Sequence, residues 1–279
     1  MSAPLWRPAA RPPALGPRDV HVWRVDLDAA GPTGLAIAPR LPAEERTRAE
    51  RYRFARDRER FLAGRAALRG VLAAYVGGAP EGVALGQSPF GKPFLLGEDG
   101  LQFNLAHSES CALLAVARGR RIGVDVEALR LGESGMDVAR RFFAPAEVAR
   151  LTAIPVEARA LGFVRCWTRK EAYVKARGDG LSLPLQQFQV PLSPDATRAL
   201  LASVDGPDEV ARWSLRELVP APGFLGALVV EGPMGSLSLL EWPGDALSPP
   251  PLDSSTAASY SDRTIMTPSP DRSPRRPTP

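Results

Sequence analysis

The sequence predicts an α+β protein of two similar-sized halves. Three observations carry that prediction: strand-like and helix-like stretches alternate in blocks, the order strand, helices, strands is followed by helices, strands, and both ends are rich in proline. In the lead, proline recurs too often for regular pairing, so residues 1–17 are expected to be disordered. The alternating run Val20, Val22, Val25, Leu27 then reads as a first strand. From Pro42 to about Tyr75, Phe54, Phe61, Leu62, Leu68, Val71 and Leu72 recur at helical spacing among arginines until Gly77, Gly78 and Pro80 intervene, which reads as two helices. SPFGKPFL reads as a turn, GLQFNLAHS and CALLAVA as two strands, and IGVDVEAL as a third. Past Gly135, DVARRFFAPAEVARL and EARALGFVRCWTRKEAYVKARG are helical, and Gly178-Asp179-Gly180 suits a helix stop with glycine in the left-handed conformation. Three late apolar runs, 213–218, 224–230 and 237–242, are expected to be antiparallel strands. The expected bounds are an N-terminal half over 18–128, a C-terminal half over 129–243 and a disordered Pro/Ser-rich tail over 244–279.

At 279 residues, 44% hydrophobic and 24% charged, the chain can bury a substantial core. A net charge of +4 favours anionic partners without requiring nucleic acid. Only three of its 35 basic side chains are lysines, Lys92, Lys170 and Lys175. A compact ammonium and a planar guanidinium are not interchangeable at a phosphate, so these three merit attention. Cys111 and Cys166 have neither CxxC spacing nor a disulfide framework, which fits a reduced cytoplasm. The N-terminus lacks the apolar core of a signal peptide, and no run of about 18 apolar residues could cross a bilayer, so a soluble protein is expected.

Four groups of residues could carry chemistry. Asp125 and Glu127 are two apart on a strand and point the same way, bracketed by Ile122, Val124 and Val126. Two carboxylates at a core edge repel each other unless a cation lies between them, and hard oxygen donors favour magnesium or calcium over zinc; the plainer alternative is two solvated acids pairing arginines. Trp167, Glu171 and Lys175 recur every four residues and stack on one helix face, where the plainer alternative is an ordinary Glu–Lys ion pair. His107, beside Ser108, is either structural or an anion contact, and no GxSxG elbow supports a hydrolase triad. The arginines from Arg46 to Arg60 are interleaved with Glu44, Glu45, Glu50, Asp57 and Glu59. Those acids would repel a nucleic-acid backbone, whereas a compact nucleotide bearing several phosphates suits a few selected arginines.

Taken in order, FGKP, FNLAHS, GVDVE and WTRKEAYVKARGDGLSLP resemble the signature segments of surfactin-type 4'-phosphopantetheinyl transferases, from about Pro42 to about Val190. The resemblance implies a pseudo-twofold pair of α+β halves with coenzyme A and magnesium between them, and transfer of phosphopantetheine to a serine of an acyl- or peptidyl-carrier protein. It implies Asp125, Glu127 and Glu171 as magnesium ligands, and Glu171 and Lys175 as catalytic groups. It also implies Arg60, Lys92, His107, Ser108 and Lys175 as coenzyme A contacts, with Arg46 and Arg48 matching less closely. Ala106 stands where the family commonly has serine, so a hydroxyl contact to the cofactor is expected to be lost. A carrier is expected to dock by its acidic face near Arg140, Arg141 and Arg169, on a cytoplasmic monomer that needs no nucleic acid or membrane. The alternatives are a basic nucleic-acid-binding module and another magnesium-dependent phosphate-ester enzyme.

Overall fold

The structure is a computed structural model that describes residues 6–97, 100–129 and 135–244, all within one compact unit spanning Met1–Leu247. The expected tail lies outside the described residues from 245 onward. The chain runs through β1 (Arg7–Pro8), β2 (Val20–Asp26), α1 (Gly31–Ile37), α2 (Ala43–Glu50), α3 (Ala55–Val76), β3 (Leu85–Gln87), β4 (Pro93–Leu95), β5 (Leu101–Ser108), β6 (Cys111–Arg118) and β7 (Ile122–Ala128). It continues with α4 (Met136–Phe142), α5 (Pro145–Ala153), α6 (Arg159–Arg177), β8 (Phe188–Gln189), β9 (Ala202–Ser203), α7 (Pro207–Arg212), β10 (Trp213–Leu218), β11 (Phe224–Glu231) and β12 (Leu237–Glu241). None of the described helices is long and apolar enough to cross a membrane.

Two sheets organise the core, in the orders β1-β12-β2-β6-β5 and β10-β11-β7. β6 is apolar on both sides because it is covered on both sides. Its residues Ala112, Leu114 and Val116 join Trp23, Val25 and the α3 residues Leu68, Val71 and Leu72 in one cluster. Its alternate residues Leu113, Ala115 and Ala117 meet Ile122, Val124 and Val126 of β7 in a second. The outer face of the smaller sheet packs on α6, where Tyr173, Trp213 and Phe188 fill a third cluster. The layers therefore run α3, larger sheet, smaller sheet, α6, and each buried Val or Leu adds roughly 1.5–3 kcal/mol.

Two strands pair across the expected boundary between the halves. β7, assigned by sequence to the N-terminal half, pairs antiparallel with β11. β12, expected to be antiparallel to its predecessors, crosses to the larger sheet and runs parallel to β2. The proline-rich lead also departs from expectation. From Trp6 on it lies against the body, with Arg7–Pro8 parallel to β12 and Trp6 Nε1 donating to Val219 O at 3.0 Å. Proline is tolerated there because β1 is an edge strand with one partner.

Candidate active site

β5 and β7 are edge strands of different sheets, brought side by side and joined by side chains. Asn104 Oδ1 accepts from Val124 N at 2.8 Å, and Ser108 Oγ accepts from Ala128 N at 3.2 Å. Each satisfies a β7 amide that no strand on that edge pairs. Ser108 also donates to Glu127 Oε2 at 2.8 Å, so it fixes a carboxylate as well as the seam. Sequence reasoning missed Asn104. The signal was available, since an amide side chain inside an apolar strand needs a partner.

Across β7, Gly123 lets α6 approach backbone to backbone. A Cβ on Gly123 would lie 2.1 Å from Ala172 O and 2.4 Å from Ala176 N, so no other residue fits without moving the helix. This contact sets Asp125, two residues along on the same face, against Lys175 and within range of the Glu171 charge. Lys175 Nζ donates to Asp125 Oδ1 at 2.6 Å, so the lysine of the stripe pairs with the strand. The other oxygen, Asp125 Oδ2, is buried without a hydrogen-bond partner. Burial pushes the Asp125 carboxyl up to about 7 against the pull of Lys175, with the charges of Glu127 and Glu171 adding to the rise. α6 ends at Gly178, in the left-handed region at φ 86°, as its sequence indicates.

On the far side of β5 from Asn104, His107 and Leu105 line a cavity of about 400 Å³ with Leu27, Arg48, Tyr52 and Arg60. His107 stands exposed at its rim. Partial desolvation by the walls, followed by the charges of Lys175 and Arg48, holds its imidazole below the ordinary range, while Glu127 opposes the shift. The cavity and the carboxylates therefore adjoin at His107–Ser108. Arg60 faces the cavity with both arms on Asp28, at 2.6 and 2.8 Å, a partner that sequence spacing could not reveal. Arg48 lies over the Phe61 ring at 5.3 Å.

Several of the expected contact residues have partners within the protein. Arg46 donates to Leu41 O at 2.6 Å and to Pro39 O at 3.3 Å, which ties it to the loop before α2. Lys92 Nζ donates to Ile122 O at 2.9 Å and Lys175 O at 2.6 Å, so it grips backbone. Ala106 is 6% exposed and packs in the cluster between the sheets, on the strand face opposite His107. Arg169, named as a docking arginine, is 1% exposed and holds Glu217 and Pro191 O. Arg140 and Arg141 are exposed.

The donors Asp125, Glu127 and Glu171 suit a hard divalent cation in kind, and the unpartnered, buried Asp125 Oδ2 fits a ligand oxygen. Among the described residues, no three acidic, histidine or cysteine side chains converge closely enough to bracket an ion; the positive charge beside Asp125 is the Lys175 ammonium.

Comparison with known proteins bears on this geometry. Residues 121–228 match the family described as the 4'-phosphopantetheinyl transferase superfamily, and 33–118 match its N-terminal family. The chain is 39% identical over 217 residues to the 4'-phosphopantetheinyl transferase HetI of Nostoc sp. (strain PCC 7120), covering 77% of this chain and 88% of that protein. It is 34% identical over 155 residues to a 4'-phosphopantetheinyl transferase of Bacillus subtilis, covering 56% of this chain and 68% of the relative. Over 193 residues it is 27% identical to 4'-phosphopantetheinyl transferase Sfp of Bacillus subtilis (strain 168), covering 69% and 83%.

Proposed function

This chain belongs to the 4'-phosphopantetheinyl transferase superfamily, and from that premise we propose that it moves phosphopantetheine from coenzyme A to a serine of an acyl- or peptidyl-carrier protein at the seam of β5, β7 and α6. The observation that carries the site assignment is Asp125, a buried carboxylate with one oxygen on Lys175 and the other unpartnered, where the cavity rim meets the carboxylates. Asp125, Glu127 and Glu171 would hold magnesium, which when bound supplies a doubly positive Lewis acid against the diphosphate.

The reaction forms a bond from the carrier serine oxygen to the β-phosphorus of coenzyme A and breaks the bond to adenosine 3',5'-bisphosphate. Glu171 takes the serine proton, because it alone joins the carboxylate group to the helix of Lys175. Lys175, one turn further on, offsets the charge that develops on the departing oxygen. His107, Arg48 and Arg60 receive the phosphates of the nucleotide, and Arg60 exchanges Asp28 for the ligand. Ser108 acts by holding Glu127. Arg140 and Arg141 remain as the arginines for an acidic carrier helix. A cytoplasmic monomer that needs neither nucleic acid nor membrane is the setting this reading carries. It is supported by two free, buried cysteines and by acids interleaved among the arginines of the first helices.

The test is the mass of an apo carrier protein incubated with this protein and coenzyme A, with magnesium or with a chelator. A magnesium-dependent gain of one phosphopantetheine is expected. Full turnover by a Glu171→Gln variant would remove Glu171 as the base, and no gain on any carrier class would end the reading.

A further inference from the structure

The resemblance assigns Lys92 to a phosphate, but its surroundings are those of a clamp. α6 leaves the carbonyls of its last turn without intrahelical donors, and a cation near that end is favoured by the helix dipole. Val174 O receives the amide of Gly178, and Lys175 O receives the Lys92 ammonium at 2.6 Å. The same ammonium reaches Ile122 O, at the start of β7, at 2.9 Å. The two carbonyls flank the backbone contact at Gly123, where the strand and helix touch most closely.

The hairpin that delivers Lys92 is itself anchored. Lys92 N donates to Ser88 Oγ, Ser88 N donates to Lys92 O, and Gly91, at φ 80°, closes the turn through Ser88 O. Phe90 rests on Gly180, with its Cβ 3.0 Å from where a Cβ on that glycine would stand, so the hairpin also touches the loop after α6. Two converging carbonyls suit a compact ammonium better than a planar fork, which gives a reason for lysine here in a chain that otherwise uses arginine.

We propose that Lys92 is a positioning residue that fixes the spacing between the strand of Asp125 and the helix of Glu171 and Lys175 by bridging Ile122 O and Lys175 O. Lys175 is held at both ends, its carbonyl by Lys92 and its ammonium on Asp125. Lys92 acts on the reaction only through these backbones, and this part of the inference rests on the transfer activity proposed above. Burial lowers its pKa to about 8, consistent with an ammonium withdrawn from solvent.

The test compares wild type with Lys92→Met and Lys92→Arg in the full chain. Three measurements are made: kcat at saturating coenzyme A, Kd for adenosine 3',5'-bisphosphate by calorimetry, and amide hydrogen exchange by mass spectrometry. For Lys92→Met, exchange is expected to rise in the peptides covering 122–128 and 171–178, with kcat at least tenfold lower and Kd within about twofold of wild type. Lys92→Arg, which keeps the charge but not the compact head, is expected to recover only part of kcat. A tenfold rise in Kd with kcat retained would overturn the proposal in favour of a phosphate contact. Unchanged exchange in both segments would overturn it whatever the kinetics. If Lys92→Met does not fold, the same readings are taken on Lys92→Arg, where unchanged kcat and exchange would overturn it. The exchange arm needs no catalysis, so a wild type inactive on every carrier would count against the transferase reading alone.

Discussion

α6 carries two lysines five residues apart, each facing a carboxylate, and the two pairs are built in opposite ways. Lys170 and Glu147 meet at 2.8 Å, both 0% exposed, and their remaining polar atoms are answered. Lys170 Nζ also reaches Leu185 O and Phe188 O, while Glu147 receives the amides of Ala144 and Val190. Lys175 is 30% exposed, its partner Asp125 is 6% exposed, and Asp125 keeps one oxygen without a partner. A buried pair with every donor and acceptor matched holds a fold together. A pair with one atom left over, at a cleft edge, holds capacity for a ligand.

Breaking the first pair should produce the largest effect. Lys170→Met leaves the Glu147 charge buried beside two amides only, and we expect a loss of about 3–5 kcal/mol in urea unfolding. Next comes Asp125→Asn. Transfer should fall at least 100-fold, about 2.7 kcal/mol in the barrier, while the unfolding midpoint stays level or rises. The sign follows from burial: with its folded pKa raised to about 7, Asp125 supports the metal-free fold fully only below its ordinary 3.8 and loses that support as pH rises through 7. A destabilised Asp125→Asn protein would show that both pairs are structural.

Gly123→Ala should cost roughly 1–3 kcal/mol, because the helix must retreat from the new methyl, and should lower transfer more than stability. Unfolding and the mass assay read the two effects separately. The smallest effect concerns His107. Its imidazole should titrate below 6.5 by NMR without nucleotide and higher with coenzyme A bound, so affinity for coenzyme A should rise as pH falls from 7 to 6. Because the folded value is lowered, the stability it contributes is present above 6.5 and is lost as pH falls below it. An unchanged midpoint with coenzyme A would separate His107 from the phosphates.

The same contrast explains what was legible in the sequence. The strand alternation of Asp125 and Glu127 and the four-residue stripe of Glu171 and Lys175 are local periodicities, and the fold preserves them. The helices over 43–50 and 55–76 followed from spacing and from the glycines after them. What could not be read depends on distant partners. Arg169 looks like any surface arginine until Glu217, 48 positions away, meets it inside the core. The Lys92 ammonium finds its backbone partner outside its own segment, only where its hairpin meets the end of α6. The direction of β12 is decided by an open edge at β2, more than 200 residues earlier by sequence number. No periodicity in residues 237–241 encodes that edge.

That last strand also constrains how the protein is made. β2 keeps an unpaired edge until Leu237–Glu241 is available to cover it, and β1 can join only after β12 is in place. On the ribosome, the larger sheet therefore begins with a strand synthesised more than 200 residues before the one that covers its edge. The helices and strands between them must emerge before the hydrophobic edge is closed. Premature termination anywhere before residue 237 would release a chain with its oldest sheet open, a substrate for chaperones or for aggregation rather than a functional fragment.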